Sequence, residues 1–229
     1  MKADVGGARR VPNALAGRIA TVRAEVDAAC RATGRDPADV LVVGVTKKQA
    51  RESVIDAIAD GLEDVAESYV QEARAKLAGL PPVRKHFIGH VQTNKARAIV
   101  ETFDVVQSVD RMEAGLALVR AGQSLGRRVR ALVQVNVSPT ERFGVAPEEA
   151  ARFADRLRSE GLDVDGVMAI GPHTTDRAAI STAFAEAARV FRRVGGSTLS
   201  LGMSDDWREA VACGSTMLRL GTALFGARV

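Results

Sequence analysis

Val40-Leu41-Val42-Val43-Gly44-Val45-Thr46-Lys47 is an apolar run that closes on a lysine. It lacks the polar alternation of a half-exposed strand, so it reads as a parallel strand buried on both faces. Helix-compatible sequence follows it. A lysine at the carboxyl end of such a strand points into the mouth of an α/β fold, where ligands bind. An amine held there and partly desolvated loses its proton more readily and can condense with an aldehyde.

Outward from this stretch the same unit repeats. With Val40–Val45 as the first, strands are expected at Asp64–Ala66, His86–Ile88, Val105–Gln107, Ala131–Val137, Gly166–Ile170, Thr198–Leu201 and Met217–Leu220. Amphipathic helices are expected between them at Arg51–Asp60, Val70–Ala78, Asn94–Glu101, Arg111–Leu125, Pro147–Glu160, Arg177–Val194 and Asp206–Ala212. Ahead of the first strand, Val11, Leu15, Ile19, Val22 and Val26 recur at spacings of three and four, which predicts a helix over Val11–Ala32. Thr33-Gly34-Arg35-Asp36-Pro37 stops it. Strands alternating with helices imply a parallel sheet with right-handed crossovers. Eight of them in 229 residues predict an α/β fold, a single (β/α)8 TIM-type barrel with an extra N-terminal helix. An open doubly wound sheet is the competing arrangement. No linker or composition shift divides the chain, so residues 11–229 are read as one barrel domain behind a flexible tail at 1–10.

Composition narrows the function. Hydrophobic residues make up 46% and charged residues 26%, as in an ordinary globular domain. Aromatics at 4% are too few for a stacking surface on single-stranded nucleic acid. The net charge of +4 comes from arginines scattered through helices, which reads as a solvated surface and not as a nucleic-acid footprint. Cys30 and Cys213 have no metal spacing and are expected to be free thiols in a reducing, cytoplasmic setting. No stretch is apolar enough to span a membrane, and Met1 to Arg10 does not resemble a secretion signal. A monomer is expected.

Polar residues gather just past the strand ends. Lys47 follows the first; Glu67, Ser68 and Tyr69 the second; Gly89, His90 and Gln92 the third; Ser108 and Asp110 the fourth; Asn136 and Ser138 the fifth. Ser204 and Asp205 follow the seventh, while Arg219, Gly221 and Thr222 close the eighth. In a barrel these positions converge on one rim. Exposed loops are polar anyway, but that explains Lys47, His90 and Arg219 together less well. Phosphate sites in barrels often use the loops after strands seven and eight. Gly202-Met203-Ser204-Asp205-Asp206 leads into a helix, with Ser204 expected as its N-cap, and Gly221-Thr222 offers close backbone approach and a hydroxyl. Strand alternation leaves open whether Lys47 or Lys48 is the buried amine. His86 and His173 carry no chemical signal. Asp205-Asp206 has no partner ligands at metal spacing and reads as helix N-terminal charge.

Taken together these motifs resemble those of the pyridoxal phosphate homeostasis proteins. Val45-Thr46-Lys47 is similar to that family's strand-end lysine signature. Glu67-Ser68-Tyr69-Val70-Gln71-Glu72 resembles its Gly-Glu-Asn-Tyr-Val-Gln-Glu, with Ala66 and Ser68 standing where Gly and Asn are usual. His86-Phe87-Ile88-Gly89-His90-Val91-Gln92-Thr93-Asn94-Lys95, Ser108-Val109-Asp110-Arg111, Leu199 to Asp206 and Gly214 to Gly226 are similar to further motifs, in the family's order. Thr140-Glu141-Arg142-Phe143-Gly144 and the stretch from Thr174 to Ser197 are shorter than usual.

The resemblance implies a barrel like the N-terminal domain of alanine racemase, with pyridoxal 5'-phosphate (PLP) held as a Schiff base on Lys47. It implies phosphate contacts from Ser204, Gly221 and Thr222, with Arg219 near the phosphate or the ring nitrogen. Met203, His90 and Asn136 complete the expected cofactor-binding set. It also implies a role in vitamin B6 homeostasis, storing or delivering PLP to apo PLP-dependent enzymes or exchanging it with amino acids. An arginine at the ring nitrogen keeps its proton and weakens the ring as an electron sink, which favours a carrier over a catalyst. The alternatives are a PLP enzyme on a small amino acid, racemase-like and using His90 or Tyr69, and a barrel in which Lys47 simply clamps another phosphate.

Overall fold

A computed structural model describes residues 14–138 and 143–226. The expected tail, the first residues of the leading helix and Thr140 to Arg142 lie outside the described residues. Eight strands close into a parallel barrel in chain order: β1 (Leu41–Val45), β2 (Asp64–Glu67), β3 (Arg84–Phe87), β4 (Val105–Val109), β5 (Arg130–Val135), β6 (Asp163–Ala169), β7 (Thr198–Ser200) and β8 (Met217–Leu220). β8 pairs with β1, Val43 opposite Arg219 and Gly44 opposite Leu220, which closes the ring and excludes the open sheet.

Around it lie α1 (Ala14–Ala32), α2 (Arg51–Ala59), α3 (Val70–Leu77), α4 (Ala96–Thr102), α5 (Met112–Leu125), α6 (Ala150–Ser159), α7 (Arg177–Val194), α8 (Trp207–Ala212) and α9 (Thr222–Phe225). The leading helix buries Leu15, Ile19, Val22, Val26 and Cys30 and packs against α2, α8 and α9. Arg18 fastens it to the far end of the chain, its Nε donating to the Leu224 carbonyl at 2.8 Å. Local chemistry sets several helix ends. Asp176 caps α7 by accepting from the Ala178 and Ala179 amides. Gly126 ends α5 in the left-handed conformation, φ +63°, which costs glycine nothing.

Most boundaries shift by one or two residues from the sequence expectation, and several shifts have a visible cause. β3 begins at Arg84, before the apolar residues, because barrel pairing to β2 starts at Asp64 opposite Arg84. β6 begins at Asp163 and runs through Gly166, which looks like a breaker. A Cβ at Gly166 would sit 1.9 Å from the Thr198 carbonyl oxygen, so the glycine lets β7 approach. The segment at Asn94 opens with a 3-10 turn over Thr93–Lys95, and Pro147 to Glu149 precede α6 without joining it. Gly221 is the N-cap of the short helix α9, which starts at Thr222.

Strand alternation sorts the side chains. Val43, Val45, Ala66 and Met217 form the cluster inside the barrel, while Val65, Leu218 and Leu220 join the larger core between barrel and helices. By the same period Arg219 shares the face of Met217 and Glu67 points outward with Val65, while Lys47 stands past the strand, in the turn that follows β1. Cys30 and Cys213 are both free thiols. Among the described residues no helix is long and apolar enough to cross a membrane.

Candidate functional site

Lys47 lies two residues beyond the end of β1 and is half-buried, whereas Lys48 is exposed and adopts φ +63°. The sequence left the choice between these two lysines open; the backbone separates them. Both peptide groups that flank Lys47 are gripped from outside the barrel. The Thr46 carbonyl accepts from Lys76 Nζ at 2.6 Å, and the Lys48 amide donates to Glu72 Oε1 at 2.7 Å. Lys76, on α3, also pairs with Glu67 Oε1 and Glu72 Oε1, each at 2.7 Å, and the Thr46 hydroxyl donates to Glu67 Oε1. Burial pushes the Glu67 carboxyl up, against hydrogen bonds from Lys76 and Thr46. Burial opposes the ionised form of Glu72 too, but there the Lys76 hydrogen bond and the Lys48 amide prevail and its pKa falls.

The neighbouring arc of the rim comes from β8 and β7. The Gly221 and Ala223 amides, at the start of α9, donate to Ser204 Oγ at 3.2 and 3.1 Å. This corrects the expectation for Ser204. It does not cap α8, whose N-cap is Asp206; its hydroxyl ties the loop after β7 to the helix after β8. A Cβ on Gly221 would lie only 3.7 Å from Val45, so the loop after β8 runs close against β1. Thr222 and Met203 are exposed beside this pair of amides.

Arg219 lies deeper. It is 3% exposed, and burial pushes its pKa down to about 10, against the nearby Asp206 carboxylate. Its NH1 donates to the Ser200 carbonyl and hydroxyl, at 2.8 and 2.6 Å, and its NH2 to the Ala169 carbonyl at 2.9 Å. These bonds face β6 and β7 and leave part of the five-donor guanidinium for other acceptors.

The structure thus brings Lys47, Ser204, Gly221, Thr222, Met203 and Arg219 onto adjoining strand ends. His90 and Asn136 lie further around the ring, after β3 and β5. His90 packs on Phe143 with ring centroids 4.5 Å apart, and its Nδ1 is buried without a hydrogen-bond partner among the described residues. Asn136 donates its amide to the Val145 carbonyl and accepts from the Ser138 amide. Sequence reasoning passed over Lys76, set His86 aside, and expected Glu67 on the rim, whereas Glu67 points outward to Thr46 and Lys76. The signal for His86 was present: it is a polar residue at an inward, fully buried position of β3.

A closed parallel barrel with a half-buried lysine after β1, and paired amides and a hydroxyl after β7 and β8, defines a class. The chain belongs to the family described as alanine racemase, N-terminal domain, whose profile matches residues 20–229. Within it, the chain is a member of the pyridoxal phosphate homeostasis proteins. It is 41% identical over 220 residues to the pyridoxal phosphate homeostasis protein of Pseudomonas aeruginosa, covering 93% of this chain and 96% of that one. The protein of the same description from Escherichia coli K12 is 34% identical over 231 residues, covering 94% and 97%. The solved structure of PipY from Synechococcus elongatus PCC7942 with PLP bound matches with a TM-score of 0.80 at 32% identity, covering 93% of this chain and all of that one.

Proposed function

We propose that this chain binds PLP and acts in PLP homeostasis, storing or delivering the cofactor without turnover of a substrate. The observation that carries the reading is the half-buried Lys47, with its flanking peptides held by Lys76 and Glu72, beside the amide pair of Gly221 and Ala223. The residues fit the cofactor. A dianionic phosphate needs convergent donors: the Ser204 and Thr222 hydroxyls stand there, and the Gly221 and Ala223 amides join them by exchanging Ser204 Oγ for a phosphate oxygen. An aromatic ring with a lone pair needs a donor below the rim, and Arg219 supplies it from inside the barrel. Its contacts to Ser200 and Ala169 favour the ring nitrogen over the phosphate as its target. Bound PLP brings an aldehyde, which a lysine amine holds reversibly with loss of water.

Lys47 supplies that amine, and the grip on its neighbours holds it in the turn that follows β1. Met203, His90 and Asn136 border the remaining rim. Residues 11–229 form the binding domain, working as a monomer in the cytoplasm, and apo PLP-dependent enzymes or amino acids are its exchange partners.

Borohydride reduction followed by mass spectrometry tests the reading. A pyridoxyl adduct on Lys47, absent in a colourless Lys47→Ala variant, is expected. An adduct on Lys48, or none after incubation with PLP, overturns it. Faster reactivation of an apo-enzyme by the loaded protein than by matched free PLP would support delivery; equal rates would leave storage.

A further inference from the structure

Five buried polar side chains cross the barrel interior in an unbroken line. Arg219 NH1 meets Ser200 Oγ at 2.6 Å, and Ser200 Oγ meets Gln107 Oε1 at 2.8 Å. Gln107 Nε2 meets His86 Nδ1 at 2.9 Å, and His86 Nε2 meets Asp64 Oδ1 at 2.7 Å. Asp64, His86, Gln107 and Ser200 are fully buried and Arg219 nearly so. The line is not a product of neighbouring strands alone. Gln107 on β4 and Ser200 on β7 are separated by β5 and β6, so their bond spans the barrel. Barrel interiors are ordinarily filled by layers of branched apolar side chains. Polar groups here have a cost unless every one is satisfied.

The two ends fix the direction of every hydrogen. Arginine only donates and a carboxylate only accepts. Ser200 therefore receives from Arg219 and turns its own hydrogen to Gln107 Oε1. That leaves the Gln107 NH2 to donate to His86 Nδ1, and its contact with Met217 Sδ at 3.2 Å agrees. His86 Nδ1 must then be an acceptor, with its hydrogen on Nε2 facing Asp64. Arg84 Nε approaches the same Asp64 oxygen at 3.0 Å from the opposite mouth of the barrel. Turning the Gln107 amide over would leave Ser200 with two donors and no acceptor, and would require a hydrogen on His86 Nδ1. The arrangement at Arg219 is thus coupled to residues on the far side of the core.

We propose that Asp64, His86, Gln107 and Ser200 are positioning residues for the Arg219 guanidinium, a one-way hydrogen-bond chain that sets how it meets the nitrogen of a bound pyridine ring. This rests on the PLP reading above and adds residues that do not themselves touch the cofactor.

The test compares PLP with its 1-deaza analogue, in which the ring nitrogen is a CH, titrated into the wild-type protein and into the Gln107→Met and His86→Phe variants. Wild type is expected to prefer PLP by on the order of tenfold or more, as for a hydrogen bond to a charged group. Both variants are expected to lose most of that preference while binding the analogue about as well as wild type does. A core substitution that only loosened the fold would weaken both ligands alike. Ser200→Ala, which deletes a single hydroxyl, makes the same measurement if the larger changes prevent folding. Variants that keep the wild-type preference overturn the proposal and leave the PLP reading standing. A wild type that binds both ligands equally removes Arg219 from the ring nitrogen, and the proposal with it. No binding of either ligand overturns the PLP reading itself.

Discussion

Lys76 and Arg219 are both buried cations, one behind the barrel wall and one inside it. Lys76 is met by two carboxylates and a carbonyl, all within 2.7 Å. Arg219 is met by two carbonyls and a hydroxyl, with the Asp206 carboxylate acting on it only from beyond hydrogen-bond contact. The first charge is neutralised within the protein, which suits a group that holds the backbone in place. The second is desolvated without a paired anion, and retains donors for something else. On the proposed reading, the difference separates a cation that organises the site from one that is offered to a ligand.

The contrast can be broken most sharply by removing each cation in turn. Lys76→Met leaves Glu67 buried and uncompensated and should cost about 3–5 kcal/mol in urea unfolding. A loss below about 1 kcal/mol would mean that the cluster does not hold the wall together. Arg219→Met leaves no buried carboxylate stranded in direct contact, so its cost should be smaller, about 1–2 kcal/mol. Its effect on PLP affinity should nevertheless exceed its effect on the melting temperature. If stability falls further than for Lys76→Met, Arg219 is structural and the distinction fails.

Acid titration sharpens the same point. Glu72 and Asp165 have lowered pKa values in the folded protein. Burial of Asp165 is outweighed by hydrogen bonds from Thr198, Arg130 and Ser197. Each contributes stability above its ordinary pKa and loses it as the pH falls through the folded value. Glu67 and Asp206 are raised chiefly by burial, so their contribution is present at low pH and lost as the pH rises through their folded values. Melting temperature should therefore decline on acidification below the ordinary carboxylate range, and Glu72→Gln should flatten that decline. An unchanged acid limb in Glu72→Gln would exclude Glu72 as a source. The smallest effect is a control away from both cations. Gly17 is exposed in α1 with open space where a Cβ would go, so Gly17→Ala should stabilise by about 0.5–1 kcal/mol in thermal melts and leave PLP binding unchanged.

Much of this architecture was legible because barrel and helix have different periods. Apolar runs such as Val40 to Val45 and amphipathic stretches such as Arg177 to Val194 alternate, and polar residues punctuate their junctions. Lys47, Ser204, Arg219 and Gly221 stood out because they occupy strand ends. What did not show were partnerships made by closure of the ring. Glu72 and Lys76 are four apart on a helix, a spacing that by itself says only that they can pair with each other. Only the packing of α3 against β1 and β2 carries their charges to Glu67 and Thr46. Gln107 and Ser200 are far apart in sequence and on strands that do not touch. Ser204 looked like a cap because it precedes a helix, yet its hydroxyl serves a different helix that follows β8.

Lys48 is the one non-glycine residue with a positive φ among the described residues. A side chain in that conformation costs about 1–2 kcal/mol, and the hydrogen bond from its amide to Glu72 helps to sustain it. The consequence is selectivity between chemical twins. Two identical side chains, adjacent along the chain, meet different surroundings: Lys48 is exposed to water and Lys47 is half-buried. On the proposal that Lys47 takes the aldehyde, this one main-chain dihedral keeps its twin out of the way.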